Sequence, residues 1–337
     1  MICALSIIAA LAGGARAEPV TLRVATAAPD GTAWARIMRA MARDLGAESH
    51  GEMAIKYYFG GIAGDEVQTL ERMKRGQLDA VFSGGMLCMK LSPSMRALRL
   101  LGLFQSREEA MYVLGRLRPT IDREFAEHGF RNMAEASLGS DMLFSRAPVT
   151  SMAELKKTRF WYWNLDEAMQ KQLQALGTAA VGLPLEEAGR AYDESRIDGF
   201  LAVPVAALAN QWSAKTRYLS ELRLGFLPGC MVMTNSAFDA LPIESRGALM
   251  LATGKMQAAI EEMGRTQDAA LLGGLFERQG LKKVALSASF ASEFFEAART
   301  ARDALRNKLI PGELIDRITG WVADYRAEYS GQRQPAK

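Results

Sequence analysis

Histidine is nearly missing from this chain, with two in 337 residues, and cysteine is scarce, with three. Two histidines leave little for metal ligation or acid–base work, and three cysteines cannot build a disulfide framework. An excess of one charge sign is missing too. Lys and Arg number 41 against 38 Asp and Glu, a formal +3 without long like-charged blocks, so the basic patch of a nucleic-acid binder is absent. Beyond residue 17 no uncharged apolar stretch approaches the roughly 20 residues that a membrane-spanning helix needs. The motifs Ser-x-x-Lys, Gly-x-Ser-x-Gly and His-Glu-x-x-His are missing, as is a phosphate-binding glycine loop. His50 and His128 each precede a glycine at an expected helix end, where attraction to the helix C-terminus accounts for both. No catalytic residue, metal ligand or cofactor is assigned, and the chain reads as a non-enzyme.

What is plentiful is apolar: 49% of the residues, including 18 methionines, together with five tryptophans. A chain of this length folds as about two domains, each able to bury its own core. Methionines at helical spacing, such as Met38, Met41 and Met73, read as part of those cores. Residues 2–12 form an uncharged apolar run, followed by Gly13-Gly14 and then Ala15-Arg16-Ala17. This is the apolar segment and small-x-small cleavage site of a secretory signal, without the usual preceding Lys or Arg. The expectation is a signal peptide over 1–17 and a periplasmic protein. Cys88 and Cys230 read as two small buried hydrophobes, with a disulfide as the alternative in an oxidising compartment.

Alternation over 20–25, 53–59 and 78–83 predicts strands, separated by helical patterns that open at Thr32 and Asp65. An amphipathic helix over 106–128 and strands over 130–136 and 142–145 follow. A second strand–helix series then runs through 159–163, 166–176, 179–182, 185–192 and 197–203. Two such series argue for α/β sheets with helices on their faces. After a strand at 231–234, residues 243–279 predict one long helix, reaching roughly 50 Å. Residues 330–337 read as a disordered tail.

These segments carry a family resemblance. Leu22-Arg23-Val24-Ala25-Thr26 with Ala28-Pro29-Asp30-Gly31-Thr32, Tyr58-Phe59-Gly60-Gly61, Gly76-Gln77-Leu78-Asp79, Leu155-Lys156-Lys157, Ile197-Asp198-Gly199 and Ala240-Leu241-Pro242 occur in one order. The pattern resembles DctP-type solute receptors of TRAP (tripartite ATP-independent periplasmic) transporters, over about residues 20–328. The resemblance implies a type II periplasmic-binding-protein-like α/β fold: two lobes, a ligand cleft, hinge crossovers and a long helix spanning both. Lobe I is expected over 18–139 plus about 228–270, and lobe II over 140–227 plus about 271–329. It also implies membrane permease subunits as partners.

Most members of that family hold a carboxylate with an arginine on the strand after the Leu-Lys-Gly run. Here Leu155-Lys156-Lys157-Thr158-Arg159-Phe160-Trp161 puts Trp161 at that position, with Trp163 on the same face. Arg159 lies two residues earlier, about 6.5 Å along the strand, too far to be interchangeable. It stands as the alternative anion contact. An indole offers one N–H and a broad apolar face in place of a bidentate fork. Asn164 is expected to cap the next helix, with Asp166 and Glu167 in its first turn repelling an anion. Trp34, Phe200, Pro204, Gln211 and Trp212 are expected in the cleft, and Gly84 and Gly85 could hold a ligand by backbone. The same tryptophans could equally be core. The Arg-Phe-Trp-Tyr-Trp run resembles the receptor branch that works with a tetratricopeptide-repeat lipoprotein. The expected ligand is mainly apolar, aromatic or lipid-like. The alternatives are an organic-acid anion, or a periplasmic ligand-binding module for signalling or for a lipoprotein partner without transport.

Overall fold

The computed structural model describes residues 18–329; the expected signal peptide (1–17) and tail (330–337) lie outside the described residues. Among the described residues there are ten strands: β1 Val20–Thr26, β2 Met53–Tyr58, β3 Ala80–Ser83, β4 Phe130–Ser145, β5 Phe160–Trp163, β6 Val181–Leu183, β7 Gly199–Ala202, β8 Tyr218–Ser220, β9 Gly225–Thr234 and β10 Lys282–Val284. They form one mixed sheet in the order β2-β1-β3-β9-β4-β7-β5-β6, with β8 and β10 paired off the side of β4. Helices cover the sheet, giving the mixed α/β architecture expected.

The first half follows the sequence closely. β1 pairs in parallel with β2 and β3. The helix Ala33–Glu48 is capped by Thr32, whose side chain accepts from the Ala35 amide. It buries Met38, Met41 and Leu45 as one stripe against the sheet. Asp65 and Gln68 make a reciprocal capping box at the helix Glu66–Lys74, satisfying two amides that would otherwise lack partners. In the second half β5 lies between β6 and β7, parallel to both.

Several expectations change. Residues 130–145 form one 16-residue strand, not two. Two register shifts, at Asn132/Ala134 and at Ser137/Gly139, absorb the poor strand formers; Gly139 has φ 123°. β4 pairs with β9 up to Asp141 and with β7 from Met142, so it belongs to both halves of the sheet. The long helix runs Ile243–Ala270, packs against the helix Ala33–Glu48 and β4, and widens at Leu271–Leu275. The widening is centred on left-handed Gly274, and a last turn follows at Phe276–Arg278.

Cys88 and Cys230 are joined as a disulfide, with Cα atoms 6.0 Å apart. This corrects the reading of two separate buried hydrophobes. β3 runs antiparallel to β9 with Ser83 opposite Cys230, and the Gly84-Gly85 turn carries the helix Met86–Leu91 back over that pair. At Gly85, φ is 114° and an added Cβ would lie 2.4 Å from the Pro228 carbonyl oxygen, so only glycine fits.

Candidate functional site

A cavity lies where the two halves of the sheet meet. Its walls come from the end of β1 with the start of the next helix (Thr26, Trp34), from β3 and its turn (Phe82, Gly84), from β4 (Leu138, Asp141), from β5 and from the 201–212 region. Its volume is about 120 Å³. That is somewhat below the roughly 150 Å³ of an apolar cavity known to admit benzene. It has room for a compact group.

Four tryptophans, Trp34, Trp161, Trp163 and Trp212, line this one space, although up to 178 residues separate them in the chain. Their aromatic faces are set by packing. Trp212 stacks on Phe200 with centroids 4.7 Å apart and planes 1° from parallel, and Phe200 stacks in turn on Tyr192. Trp161 meets Trp212 at 61°, with centroids 4.8 Å apart. The Trp161 Nε1–H donates to the Leu183 carbonyl of the neighbouring β6 at 2.9 Å. Its single donor is therefore engaged in the fold, and Trp161 presents an apolar surface to the cavity.

Gly84 also lines the cavity; the remaining expected contacts do not. Gly85 caps the helix Met86–Leu91 behind the wall. Asn164 is exposed, and Asp166 caps the helix Glu167–Ala175 in its place, its Oδ1 accepting from the Met169 amide at 2.9 Å. Phe200 acts from behind, as the ring against which Trp212 rests. Pro204 opens the helix Pro204–Ala209 as a buried residue outside the lining, and Gln211 is exposed in a left-handed turn. Arg159 is not among the residues that line the cavity and forks onto Asp198, with Nε and Nη2 at 2.9 and 2.8 Å from its two oxygens. In this structure the fork of the alternative anion contact is therefore already engaged by a carboxylate of the chain.

The cationic group that does line the cavity is Arg99, which sequence reasoning missed. It is 4% exposed. Its Nε and Nη2 donate to Asp166 Oδ2 at 2.8 and 2.6 Å, and Nη1 donates to Asp141 and to the Phe226 carbonyl. Burial pushes the guanidinium pKa down, and the two carboxylates more than offset this and raise it. Burial also raises Asp141, against the pull of Arg99. The signal was available: Arg99 is the lone charge in Ala97-Leu98-Arg99-Leu100-Leu101-Gly102-Leu103-Phe104, and Asp141 the lone charge between Ala136 and Phe144. Single charges inside apolar runs are buried and need each other.

The backbone amides at Gly84 are likewise taken. The buried Glu66 carboxylate accepts from Ser83 Oγ at 2.5 Å, Gly84 N at 2.6 Å and Leu87 N at 2.7 Å. It fills from inside the nest that an external anion would use. Burial raises its pKa, and these donors oppose the rise. Among the described residues no cluster of His, Cys, Asp and Glu could hold a metal ion, and no helix is long and apolar enough to cross a membrane.

The family model for DctP, bacterial extracellular solute-binding protein family 7, matches residues 24–308. A curated relative, an uncharacterized protein of Haemophilus influenzae, is 23% identical over 200 residues, 58% of this chain and 60% of its own length. The chain thus matches less than two thirds of that relative. Among solved structures, the sugar acid binding protein of Advenella mimigardefordensis in complex with galactonate superposes with a TM-score of 0.83 at 16% identity, covering 91% of this chain and 99% of that one. An extracytoplasmic solute receptor of Bordetella pertussis binding pyroglutamic acid gives 0.81 at 17% identity, covering 90% and 99%.

Proposed function

The chain belongs to the DctP family of bacterial extracellular solute-binding proteins, and from that premise we propose that it is the receptor of a TRAP transporter, capturing a compact ligand with an apolar or aromatic body in the tryptophan-lined cavity and delivering it to membrane permease subunits. The observation that carries the ligand class is the convergence of four indoles on one space whose only guanidinium is already held by two carboxylates. Burying one indole face against an apolar ligand contributes on the order of 2 kcal/mol, taking about half of a tryptophan's surface at ~25 cal/mol per Å². The partner lobes are residues 18–139 with about 228–270 and 140–227 with about 271–329. The change of β4 from β9 to β7 between Asp141 and Met142 supports that division. Export through a signal peptide and partnership with a tetratricopeptide-repeat lipoprotein belong to the same reading.

A second reading, a small organic-acid anion, is favoured by the relatives: both solved neighbours described above bind organic acids. On relatives alone it is the better supported of the two. The lining of this cavity supports the first. Mass spectrometry of the ligand carried by the purified protein decides between them. An apolar or aromatic species whose retention is lost in Trp212→Ala supports the first reading. A sugar acid or similar small carboxylate retained by Trp212→Ala overturns it in favour of the second. Uptake of that species by cells that lose it on deletion of the permease genes would establish the transport role over signalling.

A further inference from the structure

The guanidinium and the glycine amide on the cavity wall already hold carboxylates of the chain itself. Asp141 and Asp166 sit on Arg99, and Glu66 occupies the amides of Gly84 and Leu87. The charged residues lining the cavity are Arg99, Asp141 and Asp166, one positive and two negative. Arg96, in a neighbouring pocket that shares Asp166, directs its guanidinium to the carbonyls of Met89 and Leu309. Asp166 is satisfied on both oxygens, by the Met169 amide and by Arg99. Asp141 is not: it is 3% exposed, its Oδ2 faces Arg99, and its Oδ1 accepts no hydrogen bond among the described residues. A carboxylate oxygen that no group of the fold donates to, open to solvent on the wall of a cavity faced by four indoles, offers itself to a positive or hydrogen-donating group of a ligand.

We propose that the ligand is an organic cation, an ammonium group of primary to quaternary type on an apolar body, held between the indole faces and the free side of Asp141. The proposal rests on the reading that this cavity is the binding site. A carboxylate would be the third acid sharing one guanidinium, and would have to displace Asp141 or Asp166 from it. A neutral apolar group would fit the walls and leave Asp141 Oδ1 without a donor. A cation gains from both, because the negative face of an indole and a nearby carboxylate act in the same direction on it. The cavity volume of about 120 Å³ suits a methylated ammonium head, which is of benzene size.

Three probes of matched shape and different charge test this: choline, 3,3-dimethylbutanol and 3,3-dimethylbutyrate, titrated by tryptophan fluorescence and calorimetry into the mature protein. Alongside, native mass spectrometry identifies any species carried through purification. The expected result is that choline binds about tenfold or more tighter than the neutral isostere and that the carboxylate is weakest. Asp141→Asn should cut the preference for choline over the alcohol by at least about fivefold. Should that variant fail to fold, Trp34→Leu, at the helix start, should cut the same preference. The carboxylate binding as tightly as choline, a preference unchanged in the folded variants, or a copurified ligand that is an acid or neutral, overturns the cation assignment and leaves the receptor reading standing. Binding by none of the three, with no species carried by the protein, overturns both.

Discussion

The indole of Trp161 and the carbonyl of Leu183 are hydrogen-bonded at 2.9 Å across β5 and β6. This bond decides how Trp161 can act: its indole N–H cannot donate to a ligand without giving up the Leu183 carbonyl. Trp161→Phe should keep an apolar face and lose one hydrogen bond, lowering stability by about 1 kcal/mol and retaining most ligand affinity. Trp161→Ala should lower stability by about 3–5 kcal/mol and abolish binding. Denaturant melts together with fluorescence titrations of both variants separate the two effects.

Arg159→Ala should be nearly silent. The Arg159–Asp198 fork lies at the surface, with side chains 46% and 32% exposed, where solvent screens the pair. The melting temperature and the ligand affinity should both stay at the parent values. A large loss of affinity for an acidic ligand in this variant would restore the arginine to the site.

Glu66→Gly should expose the nest that the carboxylate now fills. The amides of Gly84 and Leu87 and the Ser83 hydroxyl would lose their acceptor, at a cost of about 3 kcal/mol or more. Acetate or formate should raise the melting temperature of this variant and leave that of the parent unchanged. A thermal-shift series in the two salts measures it.

Asp268 on the long helix faces Gly139 of β4, and burial pushes its pKa from 3.8 up to about 6. Its Oδ1 has no hydrogen-bond partner. The folded state therefore holds this proton more tightly than the unfolded chain. Its contribution favours folding below pH 4 and is lost as the pH rises through 6. The full swing is about 3 kcal/mol. Asp268→Asn should equal the parent near pH 4 and exceed it in stability at pH 7. Urea melts at both pH values test the sign.

Much of the fold was legible because it depends on local pattern. The helix starts at Thr32 and Asp65, the strand–helix alternation and the long helix from Ile243 all follow from spacing and side-chain chemistry within a few residues. The four tryptophans were legible as site candidates because a family pattern marked their positions. What stayed hidden is non-local. Arg99 and Asp141 meet across 42 residues, Arg99 and Asp166 across 67, and Cys88 and Cys230 across 142. Asn164 and Asp166 are both good caps, and nothing local tells which is used; the pull of Arg99 on the Asp166 carboxylate does.

The Cys88–Cys230 bond also bears on the inventory of reactive groups. With these two joined, the third cysteine of the chain is Cys3, inside the apolar run 2–12. A chain processed after Ala17 would then carry no free thiol at all. Alkylation of the unfolded, unreduced mature protein should find zero reactive sulfhydryls, and two after reduction. Made without export, the same polypeptide would keep all three, and it would lack a cross-link that contributes about 5 kcal/mol by chain entropy for a loop of this size. Thiol count is thus a one-step assay of whether a preparation has passed through the compartment in which a receptor of this kind works.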